Sequence, residues 1–138
     1  MKTKIVFAAI AAILSLSCTK LEGTITVNLE NDGYATVALP DFCEDSWNGN
    51  TGYIGMDSNN NLFIQGGEIA SVGSVGSLAR VKRVDSGYSY KAAAESGHGY
   101  VGRSNIGKYV RIYVVDIRES TKGGIIGARI EYEYPATF

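Results

Sequence analysis

The sequence predicts an all-β protein, either an antiparallel β-sandwich or a partly open barrel of about nine to ten short strands. Apolar and polar residues alternate with a period of two near both ends of the chain, which is the pattern of half-buried strands. The 17 glycines and nine tyrosines suit turns and pleated surfaces. After the first 17 residues, no stretch repeats apolar residues at helical spacing over three turns, so no long helix is expected.

The first predicted strands follow the N-terminal segment. In residues 24–30 (TITVNLE), apolar and polar side chains alternate, as in a strand with one buried face. Residues 31–33 (NDG) supply glycine where a turn needs positive φ. Residues 34–39 then return as a second strand, which ends at Pro40.

The middle of the chain predicts shorter strands separated by glycine and asparagine turns. These strands are expected at residues 53–57, 62–65, 69–75, 78–84, 88–95 and 100–103.

The C-terminal part predicts a long hairpin. Residues 109–118 are apolar on both faces, as expected for a central strand. Residues 125–134 alternate, and the Gly123-Gly124 pair suits the turn between the two strands. The inward face of the last strand holds Ile126, Ala128, Ile130, Tyr132 and Tyr134, and the outward face holds Arg129, Glu131 and Glu133.

The N-terminus has the layout of a lipoprotein signal peptide. Residues 1–17 contain two lysines, a short apolar run and small residues directly before Cys18. We therefore expect cleavage before Cys18 and acylation of that cysteine, followed by a tether at residues 18–23 and a single β-rich domain at residues 24–138. Leu14 lies one place earlier than in the usual lipoprotein motif, so a conventional signal with a nearby cysteine is the alternative.

The net charge and the cysteine count limit the binding partners and the disulfide bonds that can be expected. Removal of residues 1–17 lowers the basic residues from 13 to 11 and leaves 14 acidic ones, a net charge of about −3. Nucleic acid is therefore not an expected partner, because its binding requires clustered positive charge. With Cys18 acylated, Cys43 has no partner for a disulfide, and we expect it to be a small buried residue.

Several segments of the mature chain carry a resemblance. The SLSC junction, GTITVNLEND, GYIGMDSNNNLF, SGHGYVGR and the YVVD…GGIIGA run resemble small lipoproteins of Bacteroidetes gut bacteria. The resemblance implies an envelope-anchored β domain, held by lipid in the outer membrane, and it implies no activity. Surface-displayed members often carry acidic residues after the lipid cysteine, whereas this chain has only Lys20 and Glu22 there. The sequence therefore allows either face of the outer membrane, periplasmic or cell-surface, as the location of the domain.

No metal or cofactor is expected. A calcium site formed by Asp57, Asn59, Asn61 and Glu68 is the alternative, because their spacing follows the ligand positions of a calcium loop. Leu62 replaces the glycine that such a loop needs for its sharp turn. His98 is the single histidine, and its place between two glycines predicts a turn residue.

A polar loop around the single tryptophan gives the functional expectation. Trp47 lies among amide and carboxylate side chains, which suits a surface that stacks on sugar rings and hydrogen-bonds their hydroxyl groups. We expect Trp47, Asn48, Asn50 and Tyr53 to bind ligand, although Trp47 as a plug at the end of the core is an alternative. The expected function is a non-catalytic binding or assembly module for a glycan, peptide or envelope protein. The alternative is a small envelope hydrolase using paired carboxylates.

Replacement of the lipidated residue tests the anchor. Cys18→Ala should move the mature protein from the membrane fraction to the soluble fraction, because it removes the acylated side chain. Mass spectrometry of the N-terminus should show a diacyl or triacyl modification on the wild-type cysteine. An unmodified N-terminal residue in the native protein would contradict the lipoprotein prediction.

Overall fold

The computed structural model describes residues 21–26, 36–44, 49–57, 59–119 and 125–138. Within these ranges the chain forms nine strands and one short 3₁₀ turn. The strands are β1 (Leu21–Thr26), β2 (Thr36–Leu39), β3 (Gly52–Met56), β4 (Asn61–Gln65), β5 (Gly67–Ser74), β6 (Lys91–Ala93), β7 (His98–Ser104), β8 (Tyr109–Glu119) and β9 (Ile125–Tyr134). The 3₁₀ turn covers Leu78–Arg80.

The strands form two antiparallel sheets, which confirms the all-β sandwich prediction. The five-stranded sheet has the order β1-β9-β8-β7-β5, and the four-stranded sheet has the order β2-β3-β4-β6. The central position of β8 agrees with its apolar character on both faces. The short turn at Gly66 carries the chain directly from β4 in one sheet to β5 in the other.

The hydrophobic core lies between the two sheets. The inward residues of both sheets alternate with outward ones along each strand, as the pleat requires. Phe42 and Tyr100 are among the largest fully buried side chains. The remaining core residues include Leu39, Cys43, Ile54, Met56, Leu62, Ile64, Ile69, Val110, Ile112, Val114, Ala128, Ile130 and Tyr134. The burial of Cys43, at 1% exposure, agrees with the sequence prediction.

One side of the sandwich is closed by backbone hydrogen bonds. Ile69 in β5 and Ser89 form an isolated antiparallel bridge, with both N···O distances at 2.9 Å. Ser89 lies two residues before β6, so the bridge links the edges of the two sheets. This link covers part of the exposed edge of β5 and gives the sandwich some of the character of a barrel.

The segment between β5 and β6 covers the outer face of the five-stranded sheet. Val81 is fully buried, and a Cβ built on Gly99 of β7 would approach Val81 Cγ2 to 2.6 Å. The predicted strand at residues 78–84 is therefore wrong, because this segment begins with a 3₁₀ turn and lies over the sheet.

The predicted pairing of the first two strands also differs from the structure. Over the described residues, β1 pairs with β9 and β2 pairs with β3, so the two strands belong to different sheets. The turn predicted at residues 31–33 and the second half of the predicted strand 24–30 lie outside the described residues. Strand β1 begins at Leu21, three residues earlier than the sequence indicates.

Glu133 faces outward as predicted, yet its side chain is buried. Arg111 lies opposite Glu133 in the β8–β9 register, and their charged atoms are 3.6 Å apart. The Arg111 guanidinium also donates to the Thr137 carbonyl at 2.7 Å and lies 4.9 Å from the Phe138 ring centroid. The C-terminal residues therefore fold back over this part of the sheet and exclude water from the ion pair.

Tyr100 connects the two sheets through its hydroxyl group. The hydroxyl donates to the Ala93 carbonyl of β6 at 2.6 Å and accepts from the Glu95 backbone N–H at 2.9 Å. Its side chain is fully buried, and this burial raises the pKa of Tyr100 from 10.0 to about 12. The folded protein therefore favours the protonated hydroxyl.

The raised pKa of Tyr100 predicts a loss of stability in alkali. An unfolded tyrosine ionises near pH 10, so the unfolded chain releases a proton that the folded protein keeps until about pH 12. Stability should therefore fall between pH 10 and 12, with about 2–3 kcal/mol attributable to Tyr100. Urea unfolding of wild type and Tyr100→Phe across this pH range measures the difference.

The Tyr100→Phe variant should itself be less stable at pH 8 by about 1–3 kcal/mol, because two buried backbone groups lose their partner. Its further loss on going to pH 12 should be smaller than that of wild type. Tyr90→Phe, which alters an exposed hydroxyl, should retain the wild-type loss. Equal alkaline losses in wild type and Tyr100→Phe would contradict the assignment.

Candidate functional site

Three aromatic side chains on the outer side of the four-stranded sheet form what we call the aromatic face: Tyr53, Phe63 and Tyr90. Tyr53 in β3 and Phe63 in β4 alternate with the buried residues Ile54 and Ile64, so both point away from the core. Tyr90 directly precedes β6 and is 78% exposed. Tyr53 and Phe63 lie diagonally across neighbouring strands, within reach of one another.

Gly55 leaves room for the far end of the Phe63 ring on the outer side of the sheet. The two residues are direct partners in the β3–β4 register. A Cβ built on Gly55 would collide with the Phe63 ring, so any larger residue at this position would push the ring outward. The absence of a side chain at Gly55 therefore allows the Phe63 ring to occupy this position.

Polar side chains border the aromatic face. Gln65 follows Phe63 on the outer side of β4, and Lys91 lies opposite Phe63 in the β4–β6 register. Lys91 Nζ lies 4.0 Å from the Asp57 carboxylate at the far end of β3. An amide, an ammonium and a carboxylate therefore surround three aromatic rings, which provides both hydrogen-bond donors and acceptors.

Two shallow pockets meet at the aromatic face. The first has a volume of about 170 Å³ and is lined by Asp57, Phe63, Tyr90 and Lys91. The second has a volume of about 260 Å³. It is lined by Phe63, Ile64, Gln65, Gly66, Gly67 and Tyr90. Because Phe63 and Tyr90 border both pockets, the two pockets adjoin beside β4, and we call them together the groove.

A third and larger cleft adjoins this groove at Gly66 and Gly67. Its volume is about 610 Å³. It is lined by Glu44, Gly66, Gly67, Glu68, Arg103, Ser104 and Asn105. The third cleft therefore lies next to the groove, at the corner between the two sheets.

Fixed polar contacts shape the walls of the third cleft. Arg103 donates to the Glu68 carboxylate at 3.0 Å, and its guanidinium stacks on Tyr88 with 3.8 Å to the ring centroid. On the other wall, the Asn105 amide accepts from Glu44 N–H at 3.0 Å and donates to the Glu44 carbonyl at 2.6 Å. These contacts fix the Glu68 carboxylate and the Glu44 backbone at one cleft.

Of the predicted ligand-binding set, Tyr53 lies on the aromatic face, but it lines neither pocket of the groove. Asn50 is exposed in the loop beside the third cleft, where its carbonyl accepts from Cys43 N–H at 3.2 Å. Trp47 and Asn48 lie outside the described residues.

The alternative calcium ligands do not converge in the structure. One oxygen of the Asp57 carboxylate accepts the backbone N–H groups of Asn59 and Asn61, both at 2.9 Å. The other oxygen is 3.4 Å from the Asn61 amide nitrogen. Glu68 lies beyond the opposite end of β4, where it pairs with Arg103. In the part of the chain that the structure describes, no three acidic, histidine or cysteine side chains form a metal-binding group.

His98 occupies a different position from the predicted turn. It is the first residue of β7, whereas the positive φ of 80° at Gly97 provides the turn before it. Its Nδ1 atom lies 3.3 Å from the Glu95 carboxylate. This pair is at the opposite end of β7 from the third cleft, so His98 is not part of the groove.

Sequence reasoning did not identify Phe63 and Tyr90 as site residues. Phe63 lies in a short apolar strand, where an aromatic residue ordinarily suggests core packing. The available signal was the alternation within residues 61–65, which places Phe63 opposite the inward pair Leu62 and Ile64. Tyr90 was assigned to a long strand at residues 88–95, but the strand itself covers only Lys91–Ala93.

Comparison with protein-family models, curated proteins and solved structures found no match to this chain. Across the described ranges, no helix is long and apolar enough to cross a membrane. A function is therefore inferred from the geometry of the groove.

A chelator experiment tests the role of the Asp57 turn. Thermal melting curves in EDTA and in excess Ca²⁺ should coincide, because the Asp57 carboxylate is occupied by its own turn and Glu68 by Arg103. Binding of a structural ion at saturating concentration would add about 2–4 kcal/mol of stability. A rise of several degrees in Ca²⁺ that Asp57→Ala abolishes would contradict this prediction.

Proposed function

We propose that the protein is an envelope-anchored, non-catalytic binding module whose groove along β4 holds an extended oligosaccharide. The observation that carries this proposal is the pair of adjoining pockets that share Phe63 and Tyr90. The exposed Tyr90 ring supports it further, because an aromatic side chain that is 78% exposed gains little stability from the fold.

The chemistry of the groove suits sugar rings. One face of a pyranose ring presents C–H groups, which pack on aromatic surfaces, while the hydroxyl groups at its edge require hydrogen-bond partners. Phe63 and Tyr90 supply the aromatic surfaces, and Asp57, Gln65 and Lys91 supply carboxylate, amide and ammonium partners. A flat, polar-bordered surface of this kind binds by stacking without enclosing the ligand.

The shape of the groove favours a chain of sugars over a single one. The two pockets on the aromatic face are each smaller than the 300–1,000 Å³ typical of small-molecule sites, and both are shallow. Their shared border lets one ligand occupy both, with successive rings against Phe63 and Tyr90. The adjoining third cleft extends the same path towards Glu44 and Arg103.

A small envelope hydrolase is the second candidate, because Glu44 and Glu68 line the same cleft. Paired carboxylates are the groups that glycoside hydrolysis requires. The binding function is preferred because Glu68 is engaged by Arg103 at 3.0 Å and both pockets at the aromatic rings are open to solvent. Analysis of the bound oligosaccharide for cleavage products distinguishes the two candidates.

The predicted signal peptide and lipid anchor give the proposed location of the domain. The signal at residues 1–17 and the acylated Cys18 would hold the domain in the cell envelope, most simply in the outer membrane. Lipid anchorage confines the domain to the membrane surface, where polysaccharides are abundant.

Binding of oligosaccharides tests the proposed function. An array of oligosaccharides of one to six units should show binding that increases with chain length up to the span of the groove. Tyr90→Ala should weaken binding of the best oligosaccharide about tenfold or more, which corresponds to roughly 1.4 kcal/mol. Titration calorimetry of purified protein lacking residues 1–17 measures both effects.

Two further variants serve as controls. Gly55→Ala should also weaken binding, because its methyl group displaces the Phe63 ring. Tyr113→Ala removes an aromatic residue from the other sheet and should leave binding unchanged. Melting temperatures of all variants show whether a loss of binding reflects a loss of folding. The proposal fails if no oligosaccharide binds, or if Tyr90→Ala binds as tightly as wild type while remaining folded.

A further inference from the structure

The distance between the predicted anchor and the folded domain is very short. Strand β1 begins at Leu21, only three residues after Cys18. A fully extended chain spans about 3.3–3.6 Å per residue, so three residues reach about 10 Å. A lipid on Cys18 would therefore hold the start of β1 against the bilayer surface.

The strand register identifies the end of the sandwich that lies next to this anchor. Leu21 pairs with Tyr134, and the Ala136 N–H donates to the Tyr109 carbonyl on the neighbouring strand. Tyr109 in turn pairs with Arg103, next to the turn at residues 104–108. We call this end of the five-stranded sheet the anchor end. It comprises Leu21, the turn at residues 104–108 and the C-terminal residues 135–138.

Exposed apolar side chains are concentrated at the anchor end. Among the described residues, three large hydrophobic side chains are exposed: Tyr90, Ile106 and Phe138. Tyr90 belongs to the aromatic face. Ile106 is 43% exposed within the turn at residues 104–108, and Phe138 is 49% exposed at the C-terminus. Ile106 and Phe138, which are not part of the groove, therefore both lie at the end of the sheet where the lipid is predicted.

Basic and aromatic groups surround Phe138. Its ring packs edge-on against Tyr109 at 5.7 Å, and the guanidinium of Arg111 lies 4.9 Å from its centroid. Arg83 lies 5.4 Å from the Tyr109 ring. Aromatic rings and long basic side chains are the groups that favour the boundary between lipid headgroups and acyl chains. Asp41 and Glu44 lie on the four-stranded side of the same end.

We propose that the anchor end docks on the lipid bilayer, with Ile106 and Phe138 in the headgroup layer. This inference rests on the Cys18 anchor of the proposed function, and it adds a second membrane contact to the lipid. The strands then extend away from the membrane, and the aromatic face is perpendicular to the bilayer surface. Asp57 lies at the end of the aromatic face that is farthest from the bilayer.

Fluorescence quenching in vesicles tests the docking. The acylated full chain carrying Ile106→Cys, Phe138→Cys or Asn59→Cys would be labelled with an environment-sensitive dye. Each variant would be reconstituted in phosphatidylethanolamine–phosphatidylglycerol vesicles that contain lipids with a headgroup spin label. Asn59 is exposed in the turn at the distal end and serves as the matched control. The parent protein should take up little dye, because Cys43 is 1% exposed.

Dyes at residues 106 and 138 should be quenched several-fold more strongly than the dye at residue 59. Vesicle flotation of the same samples separates failure of the anchor from failure of the docking. Co-flotation with equal quenching at all three positions would overturn the docking and leave the anchor intact. Loss of flotation would overturn both, whereas oligosaccharide binding by the soluble protein would be unaffected.

A second copy of the chain is the competing occupant of the anchor end. Energy transfer between donor- and acceptor-labelled Ile106→Cys proteins, without quenching by the spin-labelled lipid, would identify that occupant and overturn the bilayer proposal. The melting temperature of the Ile106→Asp, Phe138→Asp double variant shows whether it stays folded, because Phe138 also packs on Tyr109 and Arg111. The same double substitution should abolish the quenching of a dye at Lys108→Cys if the docking is correct.

Discussion

The close passage of the chain at Gly66 and Gly67 constrains the rest of the molecule. At this corner the chain leaves the four-stranded sheet and enters the five-stranded one. Gly66 has a φ of 91°, and a Cβ there would approach Cys43 Sγ to 2.5 Å, while a Cβ on Gly67 would collide with the Arg103 carbonyl. Only glycine fits both positions. The corner therefore fixes the spacing of the two sheets and joins the groove along β4 to the third cleft.

The two outer faces of the sandwich have different surroundings, and this difference places the candidate site. On the five-stranded sheet, the Val81 side chain packs over Gly99. The C-terminal residues shield the Arg111–Glu133 ion pair from water. On the four-stranded sheet, Tyr53 and Phe63 are half-buried and Tyr90 is exposed, so the aromatic face is partly open to solvent. Both sheets nevertheless share one core, which the Tyr100 hydroxyl crosses to reach β6. A rigid sandwich with one open aromatic face can bind a ligand with little rearrangement.

Alternation in the sequence predicted the sandwich, the central place of β8 and the inward set of the last strand, because a pleated strand has a fixed period of two. It did not predict which strands pair, because pairing depends on contacts between distant residues. For that reason β1 was expected beside β2 and residues 78–84 were expected as a strand. The groove was only partly predictable. Tyr53 was predicted to bind ligand from composition but lines neither pocket, whereas the positions of Phe63 and Tyr90 depend on the register with Gly55 and on the bridge at Ser89.

The two proposals lead to one arrangement at the membrane. If the anchor end contacts the bilayer, the aromatic face is perpendicular to the membrane surface. An oligosaccharide in the groove would then lie either parallel to the membrane or along β4, pointing away from the membrane. The third cleft, between Glu44 and Arg103, would lie close to the bilayer. Anchored copies that each hold a few sugar rings could engage one polysaccharide at several points. Their confinement raises the effective concentration for each further contact, so shallow pockets of modest affinity are sufficient for firm retention of a long chain.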